Sequence, residues 1–117
     1  MAPPIDTSVA CSLLSDPIRR QVLTLFRDRR VWPVEDLAAE IAARDRSRDP
    51  EDGDAVRRTQ IELVHNHVPR LADYGILEWD SRSGDIVRSD RYEELESIRE
   101  QAIERNAESV LAVSEEA

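Results

Sequence analysis

The middle of this chain carries the side chains best suited to chemistry, two histidines and a group of arginines. His65 and His67 stand two positions apart in a stretch with helical periodicity. Two positions correspond to about 200° around a helix axis, so the two imidazoles cannot bind one metal ion. A helical zinc pair needs ligands three or four positions apart, and Cys11 is the single cysteine. The sequence therefore predicts no metal site and no cofactor.

The two histidines are expected to differ in environment. His67 adjoins Val68 near an apolar stripe, which predicts a partly buried, hydrogen-bonded structural residue. His65, beside Asn66, is expected to be more exposed, where it either contacts DNA or is simply solvated. Pro69 removes one helical hydrogen bond and predicts a kink, which is either tolerated or seats the helix in a groove.

Arginine, glutamine and asparagine residues outside that apolar stripe suggest recognition of nucleic acid. Arginine suits the guanine edge, and asparagine or glutamine the adenine edge, in the major groove of DNA. The alternative is a solvated helix face, in which Arg58 pairs with Glu62 four positions later. The predicted base contacts are Arg57, Arg58, Gln60, Asn66 and Arg70.

A second group of candidate contacts lies in the segment that follows. Arg82 and Arg88 are predicted to reach phosphate or the minor groove. Alternatively, Asp80 and Asp85 neutralise them by local pairing.

Catalytic arrangements are not evident. Spacing supports neither a Ser-His-Asp set nor paired carboxylates, and three glycines provide no phosphate-binding loop. Cys11 has no basic neighbour and lies on an apolar face, so we expect a buried side chain rather than a reactive thiol. The sequence therefore favours a binding protein over an enzyme.

The charge of the chain is strongly negative, and its positive charges are of one kind. The net charge is −9, and all sixteen basic residues are arginine. A high-salt cytoplasm favours dense acidic surfaces and few lysine stems, so we expect a halophilic protein, with a GC-rich genome as the alternative. Net acidity usually argues against nucleic-acid binding, but in an acidic proteome only local patches are informative.

The length of 117 residues predicts one domain that can bury a core without disulfides or metal. No apolar run approaches about 18 residues, so no membrane span is expected. No basic residue precedes the first apolar stretch, which argues against a secretory signal. With a lone cysteine, a cytoplasmic protein fits best. No small-molecule effector is identifiable from the sequence.

Periodicity predicts the elements that position these side chains. Helices are expected at residues 8–14, 17–28, 34–44 and 55–74, the second capped by Ser15. Arg19 and Arg20 are expected on the polar side of the second of these. Residues 31–33 are predicted to be a connector or a minimal strand, and two strands near 76–79 and 86–88 to form a hairpin. Trp32 and Trp79 are expected to cover the core. The buried stripe of the helix at 55–74 is predicted to be Ile61, Val64, Val68 and Leu71.

If residues 8–14 and 17–28 are counted as one helix with a break at residues 15–17, the order is three helices, a hairpin and a further helix. This is the winged helix-turn-helix arrangement. The segments LLSDPIRRQVLTLF, VEDLAAEIAAR and HNHVPRLADYGILEWDSRSGDIV resemble the winged-helix domain of an uncharacterised haloarchaeal family of regulators. More distantly, the chain is similar to the arsenic-repressor-like superfamily, in which a helix carrying His-Leu leads to Leu-x-x-x-Gly-Leu-Val. Here His67-Val68 and the run from Leu71 to Leu77 occupy those places. The resemblance covers residues 10–90 and implies DNA binding through the third long helix.

The chain departs from DNA-binding relatives in ways that matter for function. Pro69 interrupts the third long helix, and Asp80 and Asp85 flank the hairpin turn. The loop before that helix is long and acidic. The metal-sensing cysteines of the arsenic-repressor branch are absent, so metal sensing is not implied.

The predicted domain division places a winged helix at 1–90 and an acidic helix at 91–117. Beyond residue 90 there are eight glutamates and three arginines, so DNA would repel this segment. Its apolar stripe is expected either to pair with a second copy or to fold back on residues 8–14. The predicted dimerisation residues are Leu95, Ile98, Ala102, Ile103 and Val110.

Taken together, the sequence predicts a mainly α protein with a small β-hairpin, a winged helix-turn-helix plus a C-terminal helix. The leading hypothesis is a homodimeric transcription regulator that binds duplex DNA, with the third long helix in the major groove. The alternative is a protein-protein interaction module with no direct DNA binding.

Overall fold

The computed structural model of this protein describes residues 3–44 and 53–102 and shows a mainly helical chain with a small antiparallel sheet. The predicted fold class is confirmed, and the arrangement is compatible with a winged helix. In chain order the elements are α1 (Thr7–Leu14), α2 (Pro17–Leu25), β1 (Val31–Pro33), α3 (Val34–Arg44), α4 (Gly53–Glu62), a π-helical turn (Leu63–His67), α5 (Val68–Asp73), β2 (Leu77–Asp80), β3 (Asp85–Arg88) and α6 (residues 92–102).

Aspartates begin the first two helices. The Asp6 carboxylate accepts a hydrogen bond from the Val9 N–H at 2.8 Å, and the Asp16 carboxylate accepts one from the Ile18 N–H at 2.8 Å. Pro17 occupies the first turn of α2, where its missing N–H costs nothing. The prediction of Ser15 as the cap of α2 was wrong by one position, because Ser15 instead ends α1.

The sheet has three strands in the order β1-β3-β2, all antiparallel. The predicted hairpin of β2 and β3 is confirmed, and residues 31–33 form the third strand of the sheet. Trp32 and Trp79 both face Ile86 across the strands, so the three side chains share one face. Trp32 is buried and donates its indole N–H to the Leu25 carbonyl at 3.2 Å, while Trp79 is partly buried against the core. Both tryptophans therefore cover the core, as predicted.

Two glycines with positive φ flank β2, one before the strand and one in the turn that follows it. Gly75 has a φ of 73° and follows α5, where the Ile76 N–H reaches the Leu71 carbonyl at 3.1 Å. This is the Schellman ending of a helix, which favours glycine. Gly84 has a φ of 77° in the turn between β2 and β3. The hairpin therefore begins directly after α5, and its turn lies at its far end.

The predicted helix at 55–74 is three helical segments, referred to below as the long helix (residues 53–73). Its middle is a π-helical turn in which the Val68 N–H donates to the Leu63 carbonyl, five positions earlier. The turn precedes Pro69, which has no N–H to donate, so the wider turn takes up the interruption that the proline imposes.

The π-helical turn corrects the predicted buried stripe. Ile61 is 48% exposed, so its predicted burial was wrong, whereas Val68 and Leu71 are fully buried. Before the turn, Ala55 and Thr59 are buried instead, and Leu63, the first residue of the turn, is also buried. A π-turn carries more residues per turn than an α-helix, so the stripe on its N-terminal side is out of phase with the stripe on its C-terminal side.

α6 packs on α2 of the same chain. Leu95 is fully buried in the core, and Ile98 is partly buried against it. The Tyr92 hydroxyl donates to the Leu23 carbonyl, and Arg99 donates to the Thr24 hydroxyl at 2.9 Å. The described start of the apolar stripe, Leu95 and Ile98, therefore folds back on the chain, as one alternative predicted, and the hydrogen bonds of Tyr92 and Arg99 join it to α2.

This packing changes the set of predicted dimerisation residues. Leu95 is enclosed by its own chain and is unavailable to a second copy. Ala102 is exposed at the end of the described part of α6, whereas Ile103 and Val110 lie outside the described residues.

Candidate nucleic-acid interface

The side of α4 that packs against the fold is defined by small buried residues. Ala55 and Thr59 are buried, and the Thr59 hydroxyl donates to the Ala55 carbonyl at 2.9 Å. Arg57 lies two residues from each of them, about 200° around the axis, and is exposed. Arg58 is also exposed, and Gln60 is partly buried. The structure therefore presents the two predicted arginine contacts of α4 to solvent.

The remaining predicted contacts of the long helix form a pair. The Arg70 Nε donates to the Asn66 Oδ1 at 2.8 Å, and both side chains are exposed. This contact spans four positions, the spacing at which helix side chains are neighbours. The hydrogen bond restricts Arg70 near the helix surface, so the amide of Asn66 and the guanidinium can meet one ligand together.

Behind the long helix lies a buried cation that sequence reasoning placed on the polar side of α2. Arg19 is 6% exposed, and its guanidinium donates to the Leu13 carbonyl at 2.8 Å and the Ser12 carbonyl at 2.9 Å. Its Nη1 lies 3.4 Å from the Nδ1 of His67, which is itself buried. Arg19 therefore ties the end of α1 and the start of α2 to the π-helical turn, and it positions the long helix.

Arg19 could have been identified as a buried residue from its position along α2. It stands three and four positions before Val22 and Leu23, which are both fully buried. On a helix these three positions share a face, so an arginine there must be buried with partners. The predicted role of His67, a partly buried structural residue with a hydrogen-bonding partner, is confirmed by the same contact, and the residue is more buried than predicted, at 3% exposed.

The hairpin turn is held by Asp80 and leaves Arg82 at its tip. The Asp80 carboxylate accepts hydrogen bonds from the backbone N–H groups of Arg82 at 3.0 Å and Ser83 at 3.5 Å. These bonds, led by the one from Arg82, lower the pKa of Asp80 because they favour its charged form. Asp80 thus binds the backbone of the turn. The Arg82 side chain is exposed, and it forms no ion pair with the described residues.

Arg88 serves the interior rather than the surface. Its Nη1 donates to the Phe26 carbonyl at 3.2 Å, its guanidinium carbon lies 4.8 Å from the centre of the Tyr92 ring, and its Nη2 is 3.7 Å from a Glu93 oxygen. Only 17% of its side chain is exposed. Arg88 therefore joins β3 to α2 and α6, and we leave it out of the interface that the sequence predicted.

Charges on the candidate interface are balanced rather than positive. The long helix carries three arginines and three acids, Asp54, Glu62 and Asp73. On the hairpin, the exposed Arg82 is accompanied by Glu78, Asp80 and Asp85. A site of this composition has little non-specific attraction for phosphate, so any preference for DNA must come from placed contacts.

Other functional features were also sought in the described part of the chain. Within residues 3–44 and 53–102, no group of three or more His, Cys, Asp or Glu side chains could hold a metal ion. No helix in those residues is long and apolar enough to cross a membrane. Cys11 is exposed, so its predicted burial was wrong. The apolar character of α1 had suggested burial, but only Ala10 and Leu13 of that helix are buried.

Comparison with known proteins gave one family. Comparison with curated proteins found no match, and comparison with solved structures found none either. A family model described as "Domain of unknown function (DUF7344)" matches residues 11–87. The matched span runs from within α1 to β3, so it includes the long helix and the hairpin and ends before α6. The chain belongs to this DUF7344 family.

Proposed function

We propose that this protein binds duplex DNA as a regulator of transcription, with the long helix in the major groove and the hairpin on the flanking backbone. The observation that carries the proposal is the exposed set of Arg57, Asn66 and Arg70 on one helix, beside a hairpin with Arg82 at its tip. Helix-turn-helix proteins place their base contacts on such a helix. Arg88 is no part of this interface, for the reasons given above.

The acidic composition is compatible with the proposal if the protein works at high salt. Counterion release gains little affinity when bulk salt is molar, so a halophilic DNA-binding protein depends mainly on base-edge contacts. The net charge of −9 and the absence of lysine support a high-salt, haloarchaeal setting. The few arginines of the long helix would then act as readers of guanine rather than as a general attraction for phosphate.

The test is selection of bound sequences from a random duplex pool in molar potassium chloride, followed by fluorescence anisotropy. A base-reading arginine contributes about 1–3 kcal/mol, so Arg57→Ala and Arg70→Ala are each expected to weaken binding about 5- to 150-fold. Arg44→Ala is the matched control, because Arg44 is exposed and, among the residues that the structure describes, pairs with its neighbour Glu40 at 3.7 Å on α3. Failure to enrich any duplex, with the protein folded, overturns the proposal.

A protein-docking module is the second candidate, and the hairpin favours it. Glu78, Asp80 and Asp85 outnumber the exposed Arg82 there, and a negative ribbon fits a basic protein surface better than phosphate. The selection experiment separates the two candidates if it is repeated at low salt. A docking module would enrich no duplex at either salt concentration.

A further inference from the structure

Ile61 is an exposed aliphatic side chain at the centre of the candidate interface. Among residues 3–44 and 53–102, the large hydrophobic side chains left exposed are Ile61 and Val31. Isoleucine is one of the residue types most often buried, although single exposed ones occur on many surfaces. The surroundings of Ile61 therefore decide whether its exposure has a use.

Helix geometry places Ile61 opposite the packed side of α4. It lies two residues after the buried Thr59, about 200° around the axis, and one turn after the exposed Arg57. Arg57 makes no ion pair or side-chain hydrogen bond with the described residues. An aliphatic group and a cation thus project side by side from the outermost strip of the helix.

Duplex DNA is the partner whose surface matches this pair. The major groove offers one apolar group, the C5-methyl of thymine, and the oxygen and nitrogen acceptors of guanine suit an arginine. Further along the same helix, beyond the π-helical turn, Asn66 and Arg70 are also exposed. A second protein chain would normally require a wider apolar patch than one isoleucine.

We propose that Ile61 contacts the C5-methyl group of a thymine and makes the DNA preference of this protein depend on an A·T pair near a guanine read by Arg57. The inference rests on the proposed DNA binding. Four residues of helix advance about 6 Å, which is close to two base steps of about 3.4 Å. The thymine is therefore expected about two base pairs from the guanine.

The test removes one methyl group from the DNA. In the selected duplex, each thymidine is replaced in turn by deoxyuridine, which keeps every base-pairing group and lacks only the C5-methyl. Burying one such group corresponds to about a three- to fivefold change in affinity. The unmodified protein is expected to lose that much at one position, and Ile61→Ala is expected to bind the two duplexes equally there. Ile61→Val, which keeps a branched side chain, is expected to retain part of the difference.

Several results would overturn this inference, and they are distinguishable from failure of the proposed function. If no duplex is selected, both the proposed DNA binding and the role of Ile61 are wrong. If Arg57→Ala weakens binding but the deoxyuridine series has no position at which Ile61→Ala abolishes a difference, only the role of Ile61 falls. Ile61→Asp is also compared with the unmodified protein by light scattering without DNA. A change from dimer to monomer in that variant would assign Ile61 to a contact between copies instead. Because Ile61 is exposed, these variants are expected to fold, and thermal unfolding checks this.

Discussion

His67 is buried against Arg19, which joins α1 and α2 to the π-helical turn, so its protonation state affects stability. Arginine can only donate hydrogen bonds, so the Nδ1 of His67 must accept from Arg19, and we infer that the neutral imidazole carries its proton on Nε2. Burial lowers the pKa of His67 below its ordinary value of 6.5. Asp16 and Glu62 act in the opposite direction, and the positive charges of Arg19 and Arg70 lower it further.

This lowered pKa predicts that stability falls on mild acidification. Below about pH 6.5 the unfolded chain takes up a proton on this residue that the folded chain does not, so the free energy of unfolding decreases as pH falls through that range. Above it, both states are neutral at this site and the contribution is constant. Urea unfolding between pH 8 and pH 5 is expected to show this slope in the unmodified protein and a weaker slope in His67→Gln.

His65→Gln is the control for that experiment. His65 is exposed two positions away, so its replacement removes a histidine without removing a buried one. The slope should survive in His65→Gln. Equal slopes in all three proteins would show that acidic residues, and not His67, govern stability in this pH range.

Substitution of two hairpin arginines, Arg88 and Arg82, is expected to distinguish a contribution to stability from a contribution to DNA binding. Arg88→Ala loses the bond to the Phe26 carbonyl and the contact with the Tyr92 ring, so unfolding should become easier by about 2–3 kcal/mol. Arg82→Ala removes an exposed side chain and should leave stability within about 0.5 kcal/mol. Urea unfolding measures both values.

In DNA titrations the order of effects should reverse. Arg82→Ala is expected to weaken binding, whereas Arg88→Ala, assayed well below its unfolding midpoint, should bind as the unmodified protein does. Weaker binding by Arg88→Ala under folded conditions would return that residue to the interface.

At the level of single residues, the sequence predicted environments wherever a neighbour made the pattern clear. Burial of His67 followed from its place beside Val68 on a buried stripe. Arg19 and Cys11 were misassigned because residue type was given more weight than helix position. A charged residue on the inner face was taken for a surface residue, and a small thiol on an outer face for a buried one.

At the level of elements, propensity and spacing located the helices and the hairpin. The π-helical turn at Leu63–His67 was not predicted, because Pro69 indicates an interruption without saying how the backbone will take it up. A kink and a wider turn give the same local sequence signal. Only the packing of Thr59 and Leu63 against the fold decides between them, and the exposure of Ile61 follows from that choice.

The hairpin turn provides a prediction about backbone conformation alone. Gly84 has a φ of 77°, and a Cβ added there would meet no atom within 4 Å. An alanine therefore fits in space but occupies the left-handed region, at a cost of about 1–2 kcal/mol. Gly84→Ala is expected to lower the free energy of unfolding by about that amount and to weaken any DNA contact that depends on the aim of Arg82.

Gly53→Ala is the matched control, because a Cβ there also meets nothing within 4 Å and Gly53 has no positive φ. Its replacement at the start of α4 should leave stability unchanged or raise it by up to about 1 kcal/mol. Equal destabilisation by the two substitutions would mean that contacts not visible around these glycines, rather than φ, govern their effect.

At the scale of the whole molecule, α6 binds its own chain through polar as well as apolar contacts. Glu96 is 7% exposed and forms ion pairs with Arg27 at 2.9 Å and Arg99 at 3.2 Å. Burial raises the pKa of the Tyr92 hydroxyl to about 12, and the charge of Glu96 raises it as well. The start of the acidic helix is therefore part of the domain core. This was not predictable from its composition, because a Glu-rich stripe fits a dimer seam and an intramolecular contact equally well.

The structure consequently moves the proposed dimer contact toward the end of the chain. Leu95 is fully buried by α2 and the core, and Ile98 is partly buried, so self-association through the C-terminal helix requires residues further along. Of the predicted residues, Ala102, Ile103 and Val110 remain. Ile103→Asp with Val110→Asp is expected to convert a dimer to a monomer, and thermal unfolding of the variant checks that the domain remains folded. Light scattering after size exclusion in molar potassium chloride measures the mass.

Leu95→Ala should behave in the opposite way. Truncating a buried leucine costs about 2–5 kcal/mol, so this variant should unfold far more easily yet retain the dimer mass under conditions in which it is folded. The two variants together distinguish a core helix from a dimer helix. If the unmodified protein is monomeric at concentrations that saturate DNA, a single copy must read its site alone. The predicted homodimer, which would contact two half-sites about one helical turn apart, would then be wrong.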